Sequence, residues 1–189
     1  MPTVIRLRLL SLLAAAALAV AALTGSVAVA DTSAATSPNQ QFSIGLPAGK
    51  FLLIGDVARP QILSVASLRA LPSKTVDVTF TGPHGSEHHV YVGPLLVNVI
   101  AQAGPRFDPA IKNDKLRHFV SVSATDGYQA LVAYGEIDPN FENKDVLLAT
   151  SEDGHPLDAD GPLLVVPGDI SGGRYVTNVN RVFLEKPPL

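Results

Sequence analysis

Gly161-Pro162-Leu163-Leu164-Val165-Val166-Pro167-Gly168-Asp169-Ile170-Ser171-Gly172-Gly173-Arg174-Tyr175-Val176 puts a strand, a turn and a candidate ligand loop into one run. Leu163 to Val166 is an unbroken apolar stretch of strand length, bounded by Gly-Pro on one side and Pro-Gly on the other. Gly172-Gly173 has no Cβ, so a ligand can approach the backbone closely and meet its N–H groups, an arrangement suited to an anion. Arg174 follows at once, and its planar fork matches a phosphate or a carboxylate through two hydrogen bonds. The same arginine would also serve as a structural partner of Asp169 or of another carboxylate. Both readings stay open at this point.

Outward from this run the chain alternates short strands with a few short helices. Phe51 to Val57 reads as an apolar strand. Ser64 caps a short helix that runs to Leu71 and stops before Pro72. From Lys74 to Phe80, Val76, Val78 and Phe80 face one way and Thr75, Asp77 and Thr79 the other, the pattern of a half-buried strand. Gly82-Pro83-His84-Gly85-Ser86 is turn chemistry, and Glu87 to Val92 returns as the second strand of a hairpin.

Pro94 is expected to open a helix, where its missing N–H costs nothing. Leu95, Leu96, Val99, Ile100 and Ala103 fall on one face of it, and Gly104-Pro105 ends it. Phe119 to Ser123, Gln129 to Tyr134, Val146 to Thr150 and Val176 to Leu184 complete the strands, with Asp126-Gly127 as a turn. The fold class is therefore α+β, a mixed and mostly antiparallel sheet with two or three short helices.

The N-terminus is of another kind. Arg6 and Arg8 precede an Ala/Leu run from Leu9 to Leu23, and Ala28-Val29-Ala30 offers a small-x-small cleavage site. Residues 1–30 are expected to be a signal peptide cleaved after Ala30. The two arginines are not adjacent, which fits a Sec-type signal and leaves no stable membrane span after cleavage. The expected location is secreted or periplasmic. Residues 31–45, rich in Ser, Thr and Ala without an apolar period, are expected to be a flexible leader, and 46–189 the folded domain.

Without the signal the chain is about 159 residues long, a single-domain length. Its formal charge falls from −3 to about −5, because Arg6 and Arg8 are lost. Such a balance argues against nucleic acid as a partner. The chain has no cysteine, hence no disulfide and no thiolate ligand for a metal.

Several landmarks together resemble the oxidoreductase molybdopterin-binding domain family, the sulfite oxidase fold. They are Leu68-Arg69-Ala70-Leu71-Pro72, Tyr91-Val92-Gly93-Pro94-Leu95-Leu96 through Ala103-Gly104, and Asp126-Gly127-Tyr128. Leu147-Leu148-Ala149 with Asp153-Gly154-His155-Pro156-Leu157, and the closing run to Val176, complete the order. The resemblance spans roughly Val65 to Leu184. It implies an oxidoreductase with molybdopterin as cofactor and electron or oxygen-atom transfer at that cofactor.

Two positions depart from the family. Its molybdenum cysteine is expected at the end of the Lys74 to Phe80 strand, where Phe80, Thr81 and Gly82 stand. Its lysine after the arginine is replaced, since Thr177 and Asn178 follow Val176. The resemblance therefore implies a molybdopterin-binding-like domain without thiolate-ligated molybdenum, its redox activity in question. The alternative is a non-enzymatic module that presents the same cleft to a small ligand or a protein partner.

The expected cofactor-binding residues are Arg174, Gly172, Gly173, Tyr128 and His155, and the expected ligand is small and anionic or pterin-like. His155 sits in a turn that faces the cleft on this reading, and Tyr128 would line it beside Asp126, itself a good turn residue for local reasons. No catalytic residue and no metal-ligand set is assigned. His84, His88 and Glu87 offer a weaker third reading as a metal hairpin; His88 and His89 point to opposite faces of a strand and do not share an ion readily. Glu136 and Asp138 are two further carboxylates without an evident nucleophile. Substrate, electron-transfer partner and oligomeric state are not legible.

Overall fold

The computed structural model describes residues 45–187. The expected signal segment 1–30 lies outside the described residues, as does the expected leader 31–45 apart from Gly45. The described chain is α+β, with short helices set between three small sheets.

The strands are β1 (Lys50–Gly55), β2 (Gln61–Ser64), β3 (Ser73–Gly82), β4 (Gly85–Pro94), β5 (Phe119–Ala124) and β6 (Gln129–Ala133). They continue as β7 (Leu147–Ala149), β8 (Ser151–Glu152), β9 (His155–Pro156), β10 (Leu163–Val165) and β11 (Val179–Glu185). Three helices, α1 (Val65–Arg69), α2 (Leu96–Ala103) and α3 (Tyr134–Ile137), and two 3-10 turns, Asp114–Arg117 and Gly172–Arg174, join them.

One five-stranded sheet has the order β2-β1-β11-β5-β6; only its β1–β11 pair is parallel. A four-stranded sheet runs β3-β4-β8-β9, and β10 pairs with β7. Isolated bridges Leu95–Leu147 and Leu164–Val176 tie β7 and β10 to the flanking segments.

Period-2 alternation sets the faces. Phe51, Leu53, Val120, Val122, Val132, Val182 and Leu184 point inward from the large sheet and are buried. Leu96, Val99, Ile100 and Ala103 of α2 close that core, and Gly104 ends the helix in the left-handed region at φ 68°, where a residue without Cβ is unstrained. A second core holds Val76, Val78, Phe80 and Tyr91 against Leu147, Ala149, Leu163 and Val165. Ser64 caps α1 as expected, its hydroxyl accepting from the Ser67 N–H at 3.2 Å.

The structure corrects three local expectations. Pro94 does not open α2: it is the last residue of β4, opposite Ser73, and the helix begins at Leu96. A proline suits either place, because a strand end also spares its missing N–H. Tyr134 leaves β6 and starts α3, since the Glu136 carboxylate reaches back to accept from the Ala133 N–H at 3.0 Å. The last strand begins at Val179, because Val176 is spent on the bridge to Leu164 and Asn178 turns the chain at φ 52°.

Candidate functional site

The β3–β4 hairpin carries its inner face past the second core, and the segment after β10 folds against it. Thr81 N–H donates to the Ile170 carbonyl at 2.8 Å, and Thr81 bridges Ser171 in parallel fashion. This contact delivers Gly172 onto Phe80. A Cβ at residue 172 would stand 2.7 Å from the Phe80 ring, so only glycine fits there without movement. Tyr175 then stacks on the other part of the same ring, with centroids 4.4 Å apart and planes at 26°.

Tyr175 and Tyr91 belong to one aromatic group with Phe80 and His89. Burial, with Asp169 adding to it, pushes the Tyr175 phenol up to about 12, and its hydroxyl has no hydrogen-bond partner among the described residues. Burial also raises the Tyr91 phenol, helped by Glu152, which accepts its hydroxyl at 2.8 Å.

His89 Nδ1 lies 2.8 Å from Asp153 Oδ2 and 3.5 Å from Glu152 Oε1, while Nε2 faces Glu87 at 3.9 Å. Asp153 accepts also from the Val90 N–H; that bond first, and His89 second, hold its carboxyl below the ordinary range. The Glu87 carboxylate folds across Gly82, into space that a Cβ would occupy. His88, on the opposite face, pairs with Asp77 at 2.6 Å, and no group of three or more metal-ligating side chains converges among the described residues.

Arg174 is engaged on every side. Nε and Nη2 donate to the two Asp169 oxygens at 2.8 and 2.7 Å. Nη1 donates to Glu136 at 3.0 and 3.2 Å. These bonds hold its guanidinium protonated more firmly than usual, the Asp169 fork most of all. Glu136 has a second cation, Lys144 Nζ, at 3.5 Å.

The five expected site residues fall into two places. Gly172, Gly173 and Arg174 form one 3-10 turn, and Tyr128 joins them by donating its hydroxyl to the Gly173 carbonyl at 2.5 Å. Asp126 Oδ1 accepts from the Tyr128 N–H at 2.8 Å, the local turn bond expected of it. His155 lies on the exposed edge strand β9, opposite Glu152 and three strands from β3, and not in this turn. A cleft of about 280 Å³ lies elsewhere, between Leu46–Lys50 and Asn178–Asn180, and none of the five lines it. Sequence reasoning did not find Glu152, Asp153 or Tyr175; Asp-Gly-His turn chemistry marked residues 153–155 as a loop without signalling that Asp153 turns back to His89.

No family model matches the sequence, and no curated protein does. Among solved structures the chain is similar to the crystal structure of the sulfane dehydrogenase SoxCD from Paracoccus pantotrophus. The TM-score is 0.58 at 20% sequence identity, over 73% of this chain and 38% of that chain. At this identity the likeness is one of fold alone, and this chain spans well under half of the chain it matches. Taken with the motif order, it supports a distant molybdopterin-oxidoreductase-like fold.

Molybdenum held as in that family requires a thiolate, and this chain has none. At the end of β3 the Phe80 ring is packed between Gly172 and Tyr175, and Thr81 uses its N–H in the bond to Ile170. A threonine hydroxyl stays protonated near neutrality and is a hard donor. The residues present do not fit thiolate-held molybdenum.

Proposed function

We propose that this chain is an exported binding module on the molybdopterin-oxidoreductase fold, and not a molybdenum oxidoreductase. The observation that carries the reading is the end of β3, where a cysteine-free chain packs Phe80 against Gly172 and Tyr175.

The ligand site on this reading is the turn Gly172–Arg174 with Tyr128. A small anionic or pterin-like ligand reaches Arg174 by taking the place of Glu136. That carboxylate meets a single guanidinium nitrogen, Nη1, and has Lys144 to fall back on. Asp169 keeps Nε and Nη2 and so holds the fork in position. Export rests on the N-terminal pattern, from Arg6 and Arg8 to Ala28-Val29-Ala30.

Equilibrium binding of a pterin and of inorganic phosphate to the exported protein tests the site. Binding that falls at least about tenfold in Arg174→Ala, with the folded spectrum retained, is the expected result. A folded protein that binds neither probe, or binds them equally well without Arg174, contradicts it. The likeness to a dehydrogenase keeps one other reading in view, an oxidoreductase that retains pterin without the thiolate; a reducible, stoichiometric pterin in the purified protein would favour it.

A further inference from the structure

The outer face of the five-stranded sheet is half apolar and internally matched in charge. Strand register places Ile62, Leu52, Arg181, Ser123 and Gln129 in one row across it. Ile54, Phe183, Ser121 and Leu131 form the next row. The inward-facing residues of these strands are buried; on the outer face Ser121 and Ser123 are buried as well, Leu52, Ile54 and Phe183 are partly covered, and Ile62 and Leu131 are 57% and 52% exposed.

Charge on this face is polar along β11. Arg181 stands at one end and Glu185 at the other, with Phe183 between them. Lys50 alternates onto the same face at the arginine end. Arg181 Nη2 donates to Ser123 Oγ at 3.1 Å, yet its Nε is buried with no acceptor among the described residues. Glu185 is half-buried; burial raises its carboxyl, Asp56 adds to the rise, and Arg181 opposes it too weakly to cancel it. Among the described residues neither Arg181 nor Glu185 forms an ion pair, so the outer ends of both side chains are open to one.

From this arrangement we propose that a second copy of the chain covers the face, in a two-fold stack centred on Phe183. A two-fold axis lying in the plane of the sheet and across β11 reverses the strand direction. It sets Arg181 of each protomer opposite Glu185 of the other, and Phe183 against Phe183, a self-complementary interface. Four strand spacings of about 4.8 Å and strands of about 20 Å give a footprint of roughly 400 Å² per protomer. That is about 800 Å² in total, below the range of stable specific interfaces, so the dimer is a weak and transient one.

Sedimentation velocity of the exported protein from low micromolar to several hundred micromolar reads the state directly. A concentration-dependent shift from monomer to dimer is expected. Arg181→Glu and Glu185→Arg should each weaken it at least about tenfold, because each sets like charges face to face twice. An equimolar mixture of the two variants should dimerise again, since every cross-pair then joins opposite charges; this recovery also shows that both variants are folded. A protein that stays monomeric throughout, or whose dimer is unchanged by either substitution, overturns the proposal. So does a mixture that fails to recover when both variants melt like the parent, a result that would assign the face to a different partner.

Discussion

Phe80 and Gly172, far apart in sequence, touch so closely that a methyl group on residue 172 would stand 2.7 Å from the ring. This contact seals the end of β3, where the resemblance implies a metal ligand. Gly172→Ala should therefore lower stability by about 1–3 kcal/mol through overpacking. Gly173→Ala, whose added Cβ meets nothing within 4 Å, should cost under about 1 kcal/mol. Denaturant midpoints of the two variants check the contrast, and equal effects would remove the contact from the account.

Glu136 and Asp169 share one guanidinium but differ in what they do. Glu136→Gln should increase affinity for phosphate at Arg174, because it removes the counter-charge that an anion has to displace. Asp169→Asn should instead weaken binding and stability together, by about 1–3 kcal/mol, since it releases the fork that orients Arg174. Titration calorimetry and melting of both variants separate the roles. An Asp169→Asn variant that binds more tightly than Glu136→Gln would reverse the assignment.

Two buried phenols should respond oppositely to loss of their hydroxyls. Tyr175→Phe removes a hydroxyl without a partner and should leave stability unchanged or raise it by up to about 1 kcal/mol. Tyr91→Phe breaks the bond to Glu152 and should cost about 1–2 kcal/mol. Chemical denaturation of the pair is the check; a destabilised Tyr175→Phe would mean that its hydroxyl has an unrecognised partner.

Acid should unfold the domain through identifiable carboxylates. Asp153 and Asp158 sit below the ordinary range, held by the Val90 N–H and by the Arg69 fork respectively. Burial works upward on Asp138, but Lys115 and the Asn140 N–H outweigh it. A carboxylate whose pKa is lowered by folding adds stability above its unfolded value, near 4, and loses it as pH falls through the folded value. The melting temperature should hold from neutrality to about pH 5 and then fall steadily below pH 4. Glu185, whose pKa is raised, acts in the opposite sense and blunts the slope. A melting temperature that is flat to pH 2 would contradict these pairings.

The processed protein should begin at Asp31. N-terminal sequencing of the protein recovered outside the cytoplasm reads this directly, and an intact Met1 would remove the signal reading.

The parts of the fold that repeat a period were legible. Val76, Val78 and Phe80 alternate because one face is buried, and Leu96, Val99, Ile100 and Ala103 recur because α2 lies on a core. Ser64 and Asp126 spoke through local hydrogen bonds that need no tertiary partner. The two-residue strands β8 and β9 are too short to have a period, and α3 exists because Glu136 reaches back to Ala133.

The site was legible in part for the same reason. Asp169 and Arg174 are five residues apart and visible as a pair, whereas Glu136 lies 38 residues away and joins them only through folding. The absence of cysteine was plain in the sequence. That Phe80 packs there against Gly172 and Tyr175 was not, because packing across a sheet end leaves no local mark.

Molybdenum content tests the central claim most directly. The full chain, exported from a host that makes molybdopterin, would be purified and its metal measured by mass spectrometry against protein concentration. The account predicts far less than one molybdenum per chain, unchanged when the host is given excess molybdate. One molybdenum per chain, retained through purification, would contradict it and return the end of β3 to oxidoreductase chemistry.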